Sequence, residues 1–105
     1  MRFGMQKPEI ISGKNAAVLA ELFSAFSDAS RLKIISALTN NEMNVGMIAD
    51  IVGLSESATS HHLRGLRQMR LVRARKEGRQ VFYCLDDEHV KAIYHVGLEH
   101  VLHGK

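Results

Sequence analysis

Apolar residues recur at intervals of three and four from Asn15 to Phe26 (Ala16, Val18, Leu19, Leu22, Phe23), which predicts an amphipathic helix. The stretch before it, 1–13, is polar or mixed, holds the sole proline and two glycines, and predicts a flexible arm ahead of one domain over 14–105. A second helix is expected over Arg31–Leu38, ending at the turn-prone Thr39-Asn40-Asn41. A third, Val45–Val52, stops at Gly53, which suits a left-handed helix end. Ser55 and Ser57 can each cap the start of a fourth helix, whose Ala58, Thr59, Leu63, Leu66 and Met69 share one stripe.

Two stretches rich in Val, Phe and Tyr follow, Leu71–Lys76 and Gln80–Leu85. They flank Glu77-Gly78-Arg79 and predict a β-hairpin with a three-residue loop. Asp86–His103 then reads as a closing helix with an apolar period of Val90, Ile93, Val96 or Gly97, Leu98, Val101 and Leu102 and three acids at its positive start. Small Ala49, then Gly53 four residues on, then another short helix has the spacing of a helix-turn-helix. The fold class is mainly α with a β-hairpin wing (α+β). It is a winged helix-turn-helix whose flanking helices form a dimer interface.

Composition narrows the class. With 46% hydrophobic and 24% charged residues the chain has the balance of a folded domain, and no apolar run approaches the roughly 18 residues of a membrane span. The N-terminal residues lack a secretory signal pattern, and the single cysteine, Cys84, allows no internal disulfide, so a reducing cytoplasm is expected. Cys84 reads as a packed core thiol. Among 105 residues, association with a second copy would add needed buried surface.

Net charge is only +3, but seven basic residues and one acid lie between Ser60 and Arg79, and the remainder of the chain is net negative. Half the positive charge in twenty residues is the footprint of a phosphate-binding surface. On the fourth helix Ser57, Ser60, His61 and Arg64 lie off the apolar stripe. Short hydroxyls let a helix sit deep in a major groove, while His and Arg donate to base edges and phosphates. Arg67 extends the face toward the DNA backbone, and Arg73, Arg75, Lys76, Arg79 and Gln80 place a second set of contacts on the wing. His62 reads as half-buried packing.

Leu54-Ser-Glu-Ser-Ala-Thr-Ser-His-His-Leu-Arg-Gly-Leu66, the later Leu71-Val72, Gly78 and Tyr83-Cys-Leu85, and the earlier Phe26-Ser-Asp-Ala-Ser-Arg-Leu-Lys-Ile-Ile-Ser-Ala-Leu38 closely resemble the ArsR/SmtB winged-helix repressors. The likeness runs over about 15–103. It implies a homodimeric, non-enzymatic repressor on an imperfect inverted repeat of operator DNA, released by an inducer, often a metal ion.

Four of six histidines fall in the last seventeen residues. At about 100° per residue His89 and His100 are only about 20° apart around a helix and His103 is within about 40°, while His95 faces elsewhere. Along the axis, however, His89 and His100 are about 16 Å apart, too far to share an ion whose ligand nitrogens lie at about 2.0–2.1 Å. Asp87 with His89, and His100 with His103, are therefore two half-sites. An antiparallel second copy would complete both. Three imidazoles and one carboxylate suit tetrahedral Zn(II) and tolerate Co(II). The pattern Asp87-x-His89-x10-His100-x2-His103 also resembles the terminal-helix site of zinc-sensing members of that family. A second family site uses cysteines where this chain has Asn44 and Gly46, so thiolate-seeking inducers are not expected there. A ligand histidine's second N–H is expected to tie the closing helix to the end of the recognition helix near Arg70. The alternative is a family member answering a non-metal signal, such as redox state or a small molecule.

Overall fold

The computed structural model describes Gly4 and residues 7–104. Part of the expected arm, 1–3, 5 and 6, lies outside the described residues, and Lys7–Ser12 carry no regular structure. The elements are α1 (Gly13–Ala25), α2 (Ala29–Ala37), β1 (Met43–Asn44), α3 (Val45–Val52), α4 (Glu56–Gln68), β2 (Val72–Glu77), β3 (Gln80–Leu85) and α5 (Glu88–His103). This is the expected winged helix-turn-helix with a helix on each flank.

Side-chain caps set the helix starts. Ser12, Asp28, Asn44, Ser55 and Asp87 each accept a hydrogen bond from a backbone N–H of the first turn, satisfying donors the helix itself leaves open. These caps move three expected boundaries. Ser12 starts α1 at Gly13, Asp28 starts α2 at Ala29, and Asp87 starts α5 at Glu88. Of the two candidate serines before α4, Ser55 caps, and Ser57 sits exposed within the first turn. Gly53 closes α3 at φ 76°, in the left-handed region as expected.

The hairpin is tighter than expected. Glu77 pairs with Gln80, so two residues, Gly78 and Arg79, make the turn. Gly78 has φ 60° and Arg79 is not at positive φ, the arrangement of a type II′ turn. Strand β1 is an element the sequence did not announce: two residues are too few to show alternation. It pairs antiparallel with β3 (Met43 with Tyr83, Asn44 with Phe82), giving the sheet order β1-β3-β2.

The core lies where α2, α3, α4 and the sheet converge. Ile34, Ile35, Ile48, Leu63, Leu66, Leu71 and Val72 are fully buried, and the one buried polar side chain among the described residues, Thr59, donates to the Ser55 carbonyl at 2.8 Å. The flanking helices leave much of their apolar surface uncovered. On α1 only Ala25 is buried, and Val18, Leu19 and Phe23 face outward. On α5 Val90 is buried, but Val96 is 70% exposed, and Leu98, Val101 and Leu102 are exposed with it. The radius of gyration, 16.8 Å, exceeds the roughly 13 Å of a compact chain this long. Both flanks present apolar stripes that one copy of the chain cannot cover.

The end of α4 stores strain. Arg70 has φ 59°, the only positive φ at a non-glycine among the described residues. It occupies the left-handed position of a Schellman ending, in which Leu71 N–H bonds the Leu66 carbonyl (2.9 Å) and Arg70 N–H the Arg67 carbonyl (3.0 Å). Glycine carries no Cβ penalty there, so Arg70→Gly is expected to raise stability by about 1 kcal/mol. A thermal melt checks this, with a gain of roughly 4–8 °C for a domain of this size.

Candidate functional site

Helix α4 presents its two faces as its sequence requires. Thr59, Leu63 and Leu66 are buried, so Ser57, His61, Arg64 and Arg67 are exposed on the other side, with Ser60 partly covered. Behind α4 runs α2. Its Arg31 guanidinium lies over Gly65, where an added Cβ would come within 2.8 Å of Nη2. Arg31 Nε also donates to His62 Nδ1 at 3.4 Å, and Asp28 Oδ2 lies 4.0 Å from the same ring nitrogen. His62 is thus half-buried, as expected. Arg31 and Gly65, which seat the recognition helix on α2, were not singled out from the sequence; a glycine in mid-helix was the available signal.

Strand alternation divides the wing cations. Val72 and Ala74 face the core side of β2, so Arg73, Arg75 and Glu77 share the opposite face, together with their β3 partners Cys84, Phe82 and Gln80. Arg73 Nε lies 3.5 Å from Cys84 Sγ. Cys84 is accordingly a partly exposed thiol on the outer sheet face, not the packed core residue expected. Gln80 Oε1 accepts from Asn44 Nδ2 at 3.0 Å. Arg75 is held by Glu42 and Glu77. Lys76 and Arg79 are exposed at the tip and make no ion pair among the described residues.

On α5, Asp87 divides its oxygens. Oδ1 accepts from the N–H groups of His89 (2.9 Å) and Val90 (3.2 Å), while Oδ2 faces His89 Nδ1 at 3.4 Å. These bonds, that from Val90 first, hold the Asp87 carboxyl below its ordinary range. The sign follows: a carboxyl depressed in the folded state adds stability above its unfolded pKa and loses it as pH falls through the folded pKa. In metal-free protein the stability gap between wild type and Asp87→Ala is therefore expected to be full at neutral pH and to close in acid. Urea melts at a series of pH values measure it.

His100 and His103 are exposed at the far end of the same unbroken helix, around a shallow depression with Val96 and Glu99. His95 is exposed beside Tyr94. Within one chain no three donors of the described residues converge on a metal position, as the helical arithmetic requires. The pairs themselves fit a divalent ion: one carboxylate oxygen beside an imidazole at one end, two imidazoles a turn apart at the other. The expected tie toward Arg70 has a different counterpart within the chain. Tyr94 Oη donates to Ser36 Oγ at 2.9 Å and Lys91 Nζ to Asn40 Oδ1 at 3.0 Å, which ties α5 to α2 and the loop after it.

A winged helix-turn-helix with a cationic outward face on its recognition helix defines a class of DNA-binding transcription regulators, and the comparisons agree. Residues 28–74 match the family described as bacterial regulatory protein, arsR family. A Synechocystis transcriptional repressor, an SmtB homolog, is 45% identical over 90% of this chain and 72% of its own length. The transcriptional activator HlyU of Vibrio cholerae is 42% identical over 76% of this chain and 74% of its own. Its solved structure superposes with TM-score 0.76, covering 90% of this chain and all of that one at 39% identity. The homodimeric winged helix-turn-helix domain Mb0332 of Mycobacterium bovis superposes with TM-score 0.77 over 90% of this chain and 94% of that one, at 28% identity. The chain belongs to the ArsR family of DNA-binding transcriptional regulators. Among the described residues no helix is long and apolar enough to cross a membrane.

Proposed function

We propose that this chain is a cytoplasmic homodimeric repressor that binds an imperfect inverted repeat of operator DNA when metal-free and is released by Zn(II), with Co(II) as a substitute. The observation that carries the reading is the separation of two incomplete donor pairs along one face of α5, about 16 Å apart by helical rise. Neither Asp87 with His89 nor His100 with His103 is a full set, and two copies related by a two-fold axis supply two full sets. The exposed apolar stripes of α1 and α5 are the surfaces such a pair would bury. Asp87 can serve because only one of its oxygens is spent on the helix cap. When bound, the metal would supply a cross-link between the copies; this chain's residues do the rest.

Ser57, Ser60, His61 and Arg64 take base edges and nearby phosphates, Arg67 the DNA backbone, and Lys76 and Arg79 the phosphates beside the wing. Gln80 joins them beside the turn and Arg73 at the wing's base. Neutralising several phosphates makes binding fall about a thousandfold between 50 and 200 mM salt. The tie from Tyr94 to Ser36, and the seat of Arg31 on Gly65, join α5 to the recognition helix through α2.

Operator affinity measured with zinc and with a chelator tests the proposal. A coupling of about 1–3 kcal/mol, or 5–150-fold, is expected, with zinc affinity lowered by the same factor when operator is present. Equal affinities in both conditions overturn it.

A further inference from the structure

Arg75 lies in the most cationic stretch of the chain, on the strand nearest the wing tip, where a phosphate contact is the first expectation. Its surroundings point elsewhere. Nε lies 3.1 Å from both Glu42 oxygens, Nη2 lies 2.7 Å from Glu42 Oε1, and Nη1 bonds Glu77. The guanidinium also stacks on Phe82, with Cζ 5.3 Å from the ring centroid, within reach of a cation–π contact. All three guanidinium nitrogens therefore bond carboxylates of this chain.

The partners come from separate elements. Glu77 and Phe82 belong to the hairpin, but Glu42 stands just before β1, the strand that leads directly into α3. The pairing of β1 with β3 puts Glu42 and Asn44 on the same sheet face as Phe82 and Arg75. Asn44 caps α3 and also donates to Gln80. Two polar links thus run from the hairpin to the entry of the helix-turn-helix, and the Arg75–Glu42 fork is the charged one. Arg75 holds the Glu42 carboxyl below its ordinary range, as expected of a charge-assisted pair.

We propose that Arg75 is a positioning residue that fixes the angle of the wing to the helix-turn-helix through Glu42, and that it does not neutralise a DNA phosphate. The inference rests on DNA binding alone and is independent of any metal response. The wing cations then have separate roles, in which Lys76 and Arg79 carry charge to DNA and Arg75 sets where they stand.

Three variants test it: Arg75→Ala, Arg75→Lys and Glu42→Gln. Each is titrated against a fluorescein-labelled duplex selected by the wild-type protein from a randomised pool, over a range of salt. A phosphate contact contributes about 0.9 to the slope of log K against log salt. Arg75→Ala is expected to weaken binding up to about fivefold, the most an exposed ion pair commonly supports, with the slope unchanged. Arg75→Lys should weaken it equally, because an ammonium cannot reproduce a planar fork shared by two carboxylates. Glu42→Gln, which removes the charged link to the helix-turn-helix and leaves Arg75 held by Glu77 and Phe82 within the hairpin, should steepen the slope by no more than about 0.9. In the free protein, amide exchange across β2 and β3 should quicken in Glu42→Gln, a readout that needs no DNA and no Arg75 variant that folds. If Arg75→Ala lowers the slope by about 0.9 and Arg75→Lys restores it, Arg75 is a phosphate contact and the proposal fails. Unchanged exchange in Glu42→Gln overturns it as well. A wild-type protein that selects no duplex would refute the DNA-binding reading, while the exchange measurement would still decide the role of Arg75.

Discussion

Replacing His100 by alanine is expected to lower zinc affinity about a hundredfold while leaving the operator affinity of the metal-free protein unchanged. Structural zinc sites with four protein ligands are worth about 10–16 kcal/mol, so one donor in four carries about 3 kcal/mol. The separation of effects follows from position. His100 is exposed near the end of α5, whose main packing partners in the chain are α2 and β3, and it lies on neither α4 nor the wing. Competition with a chromophoric chelator gives the zinc affinity, and anisotropy with labelled operator gives DNA binding. His103→Ala and His89→Ala should behave alike, because in the proposed inter-subunit site each supplies one donor. His95→Ala should not, since His95 faces away from that set. Loss of operator binding by metal-free His100→Ala would make the end of α5 a structural part of the DNA-binding unit and would remove the reason for reading it as a sensor.

Arg64→Ala is expected to do the reverse: operator affinity falls about 10–100-fold, matching the 1–3 kcal/mol of a good base-edge contact, with zinc affinity and melting temperature unchanged. Arg64 is exposed on the face of α4 opposite the buried Thr59, Leu63 and Leu66, so truncating it opens no cavity. The loss should depend on the duplex: large on the selected site, small on a scrambled one. Arg67→Ala, assigned to the DNA backbone, should weaken both duplexes about equally and reduce the salt slope by about 0.9. A uniform loss for Arg64→Ala would move it from base reading to phosphate contact.

What could be read in advance was local. The outward face of α4 follows from Leu63 and Leu66 being apolar three residues apart, and the end of α3 from Gly53, where φ 76° suits a residue without Cβ. The separation of Asp87 and His89 from His100 and His103 needs only the rise of a helix. Where two local groups are equivalent, as Ser55 and Ser57 are in their ability to cap α4, the amino-acid order leaves the choice open, and the fold makes Ser55 the cap.

The rest depended on residues far apart in sequence. Glu42 and Arg75 are 33 positions apart, and Arg31 and His62 are 31 apart. No periodicity links such pairs, because they meet through the packing of α2 and β1 against α4 and the hairpin. The same holds for the flanking helices. Their apolar stripes show in the amino-acid order, but a stripe does not say whether its own chain covers it. The sequence by itself determined the helices, the left-handed end of α3, the side chains that stand off the apolar stripe of α4 and the spacing of Asp87, His89, His100 and His103, since each arises within a few residues of backbone geometry. The tertiary structure alone decided that Arg75 is engaged by Glu42, that Cys84 lies on the outer sheet face, and how much of the apolar faces of α1 and α5 the chain itself covers. Those outcomes depend on which surfaces the folded core brings together and which it has no volume left to bury.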